Sequence, residues 1–211
     1  MNPDKVLTAF SQSGKNNCAT IGIIKLAIAV YGKDHIFKHV ESDPAAAGYT
    51  VILHNGKSVC LSRTDPERLS KQSGFKPNPK AGPEEQKEIT ELANFCFAVI
   101  VRYVMDEEKI TEKSALHEIN VTGINSDYAY RNLGIPEENI RFLTPGNRGT
   151  VRAAAYAAEP AYLLYNNNHC VMAVLNRFDE YAEPTDITQF VSKHSSFFKP
   201  GRTCWAYTID G

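Results

Sequence analysis

The chain has 211 residues, 23 basic against 24 acidic side chains for a formal net charge of −1, 43% hydrophobic and 22% charged residues. That length gives one domain, or two tightly joined lobes, an ample core, and a balanced charge mixed along the chain argues against a nucleic-acid or membrane-surface partner. Five cysteines, at positions 18, 60, 96, 170 and 204, form an odd and scattered set with no CxxC pair, which reads as reduced thiols and excludes a disulfide frame or zinc site.

The start, Met1-Asn2-Pro3-Asp4-Lys5, is polar. It offers no basic-then-apolar leader, and no apolar run reaches spanning length, so a cytoplasmic setting is expected, with leaderless export as an effector giving the same pattern. Residues 3–11 carry a short amphipathic pattern (Val6, Leu7, Phe10) that predicts one or two helical turns. A polar loop follows, with Gln12 at its start. Cys18 then opens an apolar stretch over 18–31 that Gly32 closes. With Asn17 as N-cap, this predicts a central, mostly buried helix. Cys18 falls in its first turn, where free N–H groups and the positive dipole end favour a thiolate. Gln12, six positions upstream, is placed to loop back and donate to an oxyanion formed at that sulfur.

His35 and His39 stand four apart, which on a helix faces them to one side, but no carboxylate has the HExxH placement and no metal site is expected. Residues 49–54 and 57–62 flank Asn55-Gly56, the strongest short hairpin signal. Residues 63–83, rich in Pro, Lys, Ser and Gly, read as a polar surface connector, a lobe linker or a lid. From Pro83 to about Met105 a long helix is expected. Ile89, Leu92, Ala93, Cys96, Phe97, Ile100 and Val104 recur at helical spacing, which puts Cys96 in the core. Shorter helices are expected over 112–119 and over 126–133, where Gly134 stops the chain.

From Ile140 the pattern changes. An alanine-rich helix over 150–158 precedes a strand over 161–165, a turn at 166–168 and a second strand over 169–175. Residues 177–182 continue that strand or begin another, 186–195 read as helix and 203–209 as a closing strand. Helices in the first half and strands in the second predict an α+β fold. His169 begins its strand directly after a polar turn, where a side chain can project into a cleft. A thiol at a helix start and an imidazole at a late strand start can meet between a helical and a β part, the imidazole taking the thiol proton and passing it to a leaving group. A third group should orient the ring. Glu183 is the first choice, with Asp179, Asp186 and Asn176 as alternatives.

The order Gln12, Cys18, His169 resembles that of papain-like cysteine peptidases, and most closely the calpain-like protease core. Residues 48–62 with the glycine turn, the polar exit Arg63-Thr64-Asp65-Pro66, and the helix over 88–105 followed by Val121-Thr122-Gly123 are similar to the corresponding calpain segments. Glu183-Pro184 falls where calpains have Asn-Pro-Trp. The chain departs from the family in Ala19, where Trp is usual, in the Lys15-Asn16-Asn17 loop, and in Thr185 at the second Trp position. The resemblance implies one papain-like catalytic domain over 1–211. Its mainly helical lobe (1–139, with the 49–62 hairpin) carries the Cys helix, which packs on a C-terminal antiparallel β-sheet or barrel lobe (140–211). It further implies a thiol hydrolase of peptide or amide bonds, with Cys18 as nucleophile, His169 as base then acid, Gln12 and the Cys18 N–H as oxyanion donors, and Glu183 orienting the imidazole. Protein or peptide substrates follow, and no cofactor. Calcium dependence is not carried over, and the oligomeric state is left open. A deamidase, transglutaminase or acyltransferase would use the same thioester chemistry, and an interaction module would keep the fold without the activity.

Overall fold

The computed structural model describes residues 1–43, 48–80, 82–143, 159–166, 169–175, 177–180, 182–186 and 205–211. Helix α1 (Pro3–Ala9) is capped by Asn2, whose side-chain oxygen accepts from the Asp4 N–H at 3.0 Å, and runs into a short strand, β1 (Phe10–Gln12). Helix α2 (Cys18–Tyr31) is the spine of the molecule. Apart from Thr20 and Lys25 its buried residues are apolar, and every residue from Ala19 to Ala29 is buried. Fully burying each of its Ile and Leu side chains contributes about 1.5–3 kcal/mol. Gly32 ends it at φ 70°, with its N–H donating to the Ile28 carbonyl at 3.0 Å; the positive φ there suits glycine.

Strands β2 (His39–Asp43), β3 (Gly48–Ile52) and β4 (Ser58–Ser62) form an antiparallel three-stranded sheet in chain order. The Asn55-Gly56 turn joins β3 to β4, with Gly56 at φ 81°. His35 and His39 do not share a helix face. Residues 33–38 turn and bend, and His39 opens β2 against Ile52.

Residues 63–83 contain regular structure where a connector was expected. Helix α3 (Asp65–Ser73) begins with Pro66 and acidic residues in its first turn and stops at Gly74, φ 69°. Strand β5 (Phe75–Pro77) then pairs antiparallel with β1. The polar composition hid a helix anchored by one apolar residue, Leu69, and one buried carboxylate, Asp65, both almost inaccessible. Asp65 accepts from the Ser62 N–H (2.8 Å), from Arg68 (2.7 Å) and from Arg102 (3.1 Å). A carboxylate so satisfied fastens α3 to the next helix, α4 (Pro83–Glu108).

After α4, helix α5 (Glu112–His117) is capped by the Thr111 hydroxyl and continues into a π-helical stretch, Glu118–Gly123. The helix expected over 126–133 is a 3₁₀ turn, Ser126–Tyr128, followed by a single α-turn, α6 (Ala129–Asn132). A second 3₁₀ turn (Glu137–Asn139) leads to β6 (Ile140–Phe142).

The remaining strands are β7 (Tyr162–Asn166), β8 (His169–Val174), β9 (Arg177–Glu180), β10 (Glu183–Asp186) and β11 (Trp205–Ile209). With β6 they form a six-stranded antiparallel sheet in the order β10-β9-β8-β7-β11-β6. Asp186, expected at the start of a helix, is the last residue of β10. The helix expected over 150–158 and the remainder of that expected over 186–195 lie outside the described residues. The fold is mixed α+β. Helix α2 packs β7 and β8 on one side and α1 and α4 on the others, so the first residue of α2 and the first residue of β8 belong to adjoining elements.

Candidate active site

The loop before α2 is tied down by asparagines. The Asn16 N–H donates to the Asn120 carbonyl at 2.8 Å, and its side-chain amide donates to the Val121 and Thr122 carbonyls, each at 3.2 Å. Asn17 is fully buried. It makes no side-chain cap bond to α2; its amide donates instead to the Ser73 carbonyl at 2.7 Å and to Asn120 Oδ1 at 2.9 Å. Asn120 in turn donates to the Gln72 carbonyl at 2.9 Å. Two buried side-chain amides thus join the start of α2, the end of α3 and the π-helical stretch, and Asn17 Oδ1 is left without a partner among the described residues. An orphaned acceptor costs about 1–3 kcal/mol, a local strain that buys a fixed position for the next residue, Cys18.

Gly123 closes this bracket. Its φ is +80°, and a Cβ there would stand 2.8 Å from the Asn16 carbonyl oxygen. Backbone has little room to move aside, so Gly123→Ala is expected to destabilise the chain by about 1–3 kcal/mol and to slow modification of Cys18. Urea unfolding and thiol labelling of the variant read the two effects, and an unchanged midpoint with unchanged labelling would show that the bracket does not hold Cys18.

Beyond Cys18, Gly22 lets α2 approach the sheet closely. A Cβ on Gly22 would lie 2.5 Å from Leu163 Cδ1 and 3.3 Å from the Cys170 sulfur. The Cys18 sulfur lies beside the Cys170 N–H, near the start of β8. Burial is the main influence on this thiol and pushes it up, while the N–H groups of Cys170, Ala19 and Cys18 act in the opposite direction. This direction runs against the thiolate expected from the helix start, because desolvation outweighs the helix-terminal N–H groups.

His169 is half-buried and opens β8, opposite Asn166 in β7. Its N–H donates to Asn166 Oδ1 at 3.0 Å, which fixes the strand start that carries the ring. Cys18 and His169 line the same cleft, of about 350 Å³. Asn16, residues 122–127, Tyr165, Asn166 and Trp205 also line it. Trp205 stacks on Tyr165, with centroids 5.9 Å apart and an interplanar angle of 24°.

The other expected residues lie elsewhere. Gln12 ends β1, and its amide donates to the Lys15 carbonyl; the described lining of the cleft does not include it. Glu183 points to a different groove, which it shares with Thr8 and Asn78. Its side chain is 64% exposed and pairs with Lys80 at 2.5 Å. It stands on β10, with β9 between it and β8. Asp179 is taken by Lys25 and by the Ala182 N–H, Asp186 ends β10, and Asn176 is outside the described residues. Sequence reasoning missed the Asn17–Asn120 pair, the 122–127 lining of the cleft and the carboxylate it carries, Asp127. The run Val121-Thr122-Gly123 was the available signal, since a glycine closing a helix marks a sharp change of direction.

The chain matches no protein-family model, no curated protein and no solved structure.

Proposed function

We propose that the chain is a cysteine hydrolase of peptide or amide bonds, with a papain-like arrangement of its Cys helix against the antiparallel sheet. The observation that carries the reading is that Cys18 and His169, far apart in sequence, line one cleft. The thiol rests protonated, so the mechanism starts by general-base catalysis. His169 takes the Cys18 proton as the sulfur attacks the acyl carbon. The tetrahedral oxyanion forms beside the N–H groups at the start of α2, and His169 returns the proton to the amine as the C–N bond breaks. Water then attacks the thioester carbonyl, giving a proton to His169, and as the C–S bond breaks the sulfur takes that proton back. A carboxylic acid and the free thiol result. Protein or peptide substrates and a cytoplasmic setting belong to the same proposal. Among the described residues no helix is long and apolar enough to cross a membrane.

The test uses 4-nitrophenyl acetate as a generic acyl donor. Acylation releases 4-nitrophenolate in a burst of about one equivalent per chain, with the thioester mapped by mass spectrometry to Cys18. No burst, or acetyl groups spread over all the thiols, would contradict the reading. Gln12 is assigned a positioning role here, because its amide holds the Lys15 carbonyl in the loop before Cys18. Loss of a direct oxyanion donor costs about 10²–10³ in rate. Gln12→Ala is therefore expected to slow the burst by less than about tenfold, and a loss of the larger size would return Gln12 to the oxyanion.

A further inference from the structure

The cleft carries a charge pattern that the hydrolytic chemistry does not use. Its described lining holds one carboxylate, Asp127, and no Lys or Arg. Asp127 sits in the 3₁₀ turn that follows the π-helical stretch, its N–H donating to Asn125 Oδ1 at 2.9 Å. Asp65 and Asp179 each meet a cation, whereas the neighbour of Asp127 in the cleft is the Tyr165 hydroxyl. The stacked pair Tyr165 and Trp205 lines the same cleft. Burial and the neighbouring Asp127 carboxylate both hold the Tyr165 hydroxyl in its protonated form.

A carboxylate in the same cleft as a partly exposed tryptophan ring, with no Lys or Arg among the described lining residues, is the chemistry that recognises a guanidinium or ammonium group. The carboxylate supplies a charge-assisted hydrogen bond, and the ring quadrupoles attract the same positive charge. We infer that this part of the cleft is a subsite for a cationic side chain, so that substrates present an arginine or lysine near the acyl group that reaches Cys18. As a substrate subsite this rests on the hydrolase reading, but as a binding site it is tested independently.

Trp205 is the only tryptophan in the chain, so its fluorescence reports on the cleft alone. In the Cys18→Ala chain, Nα-acetyl-arginine amide is expected to change that fluorescence saturably, with half-saturation at roughly tenfold lower concentration than the neutral isostere Nα-acetyl-citrulline amide. Asp127→Asn should bring the two titrations together. In the chain with Asp127 intact, added salt should narrow the gap by screening the charge, which keeps the test decisive if the variant does not fold. Equal binding of the two amides, no binding of either, or a preference that survives both the substitution and salt would overturn the inference. A preference for arginine without any acylation of Cys18 would leave the subsite standing and remove the hydrolase. Acylation without charge preference would do the reverse.

Discussion

Asp179→Ala is expected to lower the unfolding free energy by about 3–5 kcal/mol, the cost of stranding one member of a buried ion pair. Its partner, Lys25, lies in the middle of α2 and is 0% exposed. The Lys25 ammonium donates to Asp179 at 2.5 Å and to the Leu7 carbonyl at 2.9 Å, and sits 4.7 Å from the centre of the Phe10 ring. Burial pulls the Lys25 pKa down and Asp179 opposes it. Without the carboxylate, the ammonium must shed its proton or draw water into the core. The Ala182 N–H also loses its acceptor, Asp179 Oδ1 at 2.7 Å, in a turn where Ala182 has φ 65°. Lys25→Met should cost less, because Asp179, with its side chain 9% exposed, keeps the Ala182 bond and lies nearer to solvent. Urea denaturation of the two single variants and of the Lys25→Met/Asp179→Ala double separates these terms, and the double should be more stable than Asp179→Ala alone. A loss below about 1 kcal/mol for Asp179→Ala would place the pair among weak surface contacts. The pair also has a functional consequence. It joins the helix that starts at Cys18 to β9, the neighbour of the His169 strand, so Asp179→Ala should slow acylation of Cys18 as well.

His169→Ala is expected to cut the acylation rate at pH 7 by about 10²–10⁴, the usual range for a lost general base, and Cys18→Ala to abolish it. The argument comes from the burial of the sulfur. An ordinary thiol is only a few per cent ionised at neutral pH, and burial pushes Cys18 above its ordinary value of 9.0. A base is therefore needed to generate the nucleophile. Without one, the rate follows the thiolate fraction. The sign is fixed: the residual rate of His169→Ala rises about tenfold per pH unit through neutrality and levels off only above the range of an ordinary thiol. A His169→Ala chain as fast as the unaltered one at pH 7 would mean that the imidazole does not serve the sulfur.

Much of the architecture was legible because hydrophobic periodicity is a strong signal where elements are long. The α2 and α4 helices follow from apolar runs and stripes, and the β3–β4 hairpin follows from Asn55-Gly56. Elements carried by one or two anchoring residues were not legible. Helix α3 depends on Leu69 and on the Asp65–Arg68–Arg102 contacts, whose members are all charged and one of which, Arg102, lies 37 positions from Asp65. Strand β2 was hidden because His39, Val40 and Glu41 derive their pairing from β3, which comes later in the chain. That Cys18 and His169 line one cleft was legible because each stands at the boundary of a strong element. Their surroundings were not. The thiolate expectation considered the helix end but not the desolvation that packing on β8 imposes. The choice of Glu183 counted one strand's length along the chain, while the sheet places that residue two strands away, beside Lys80.

The most direct measurement of the central claim is the pH dependence of iodoacetamide labelling at Cys18, with the exposed Cys60 of the same chain as internal standard. The account predicts that between pH 6 and pH 8, about the range in which an imidazole serves as base, Cys18 is labelled faster than Cys60, and that in His169→Ala it becomes slower than Cys60 because burial then outweighs the N–H groups around the sulfur. Labelling of Cys18 that is slower than Cys60 in the unaltered chain, or identical in the presence and absence of His169, would contradict it.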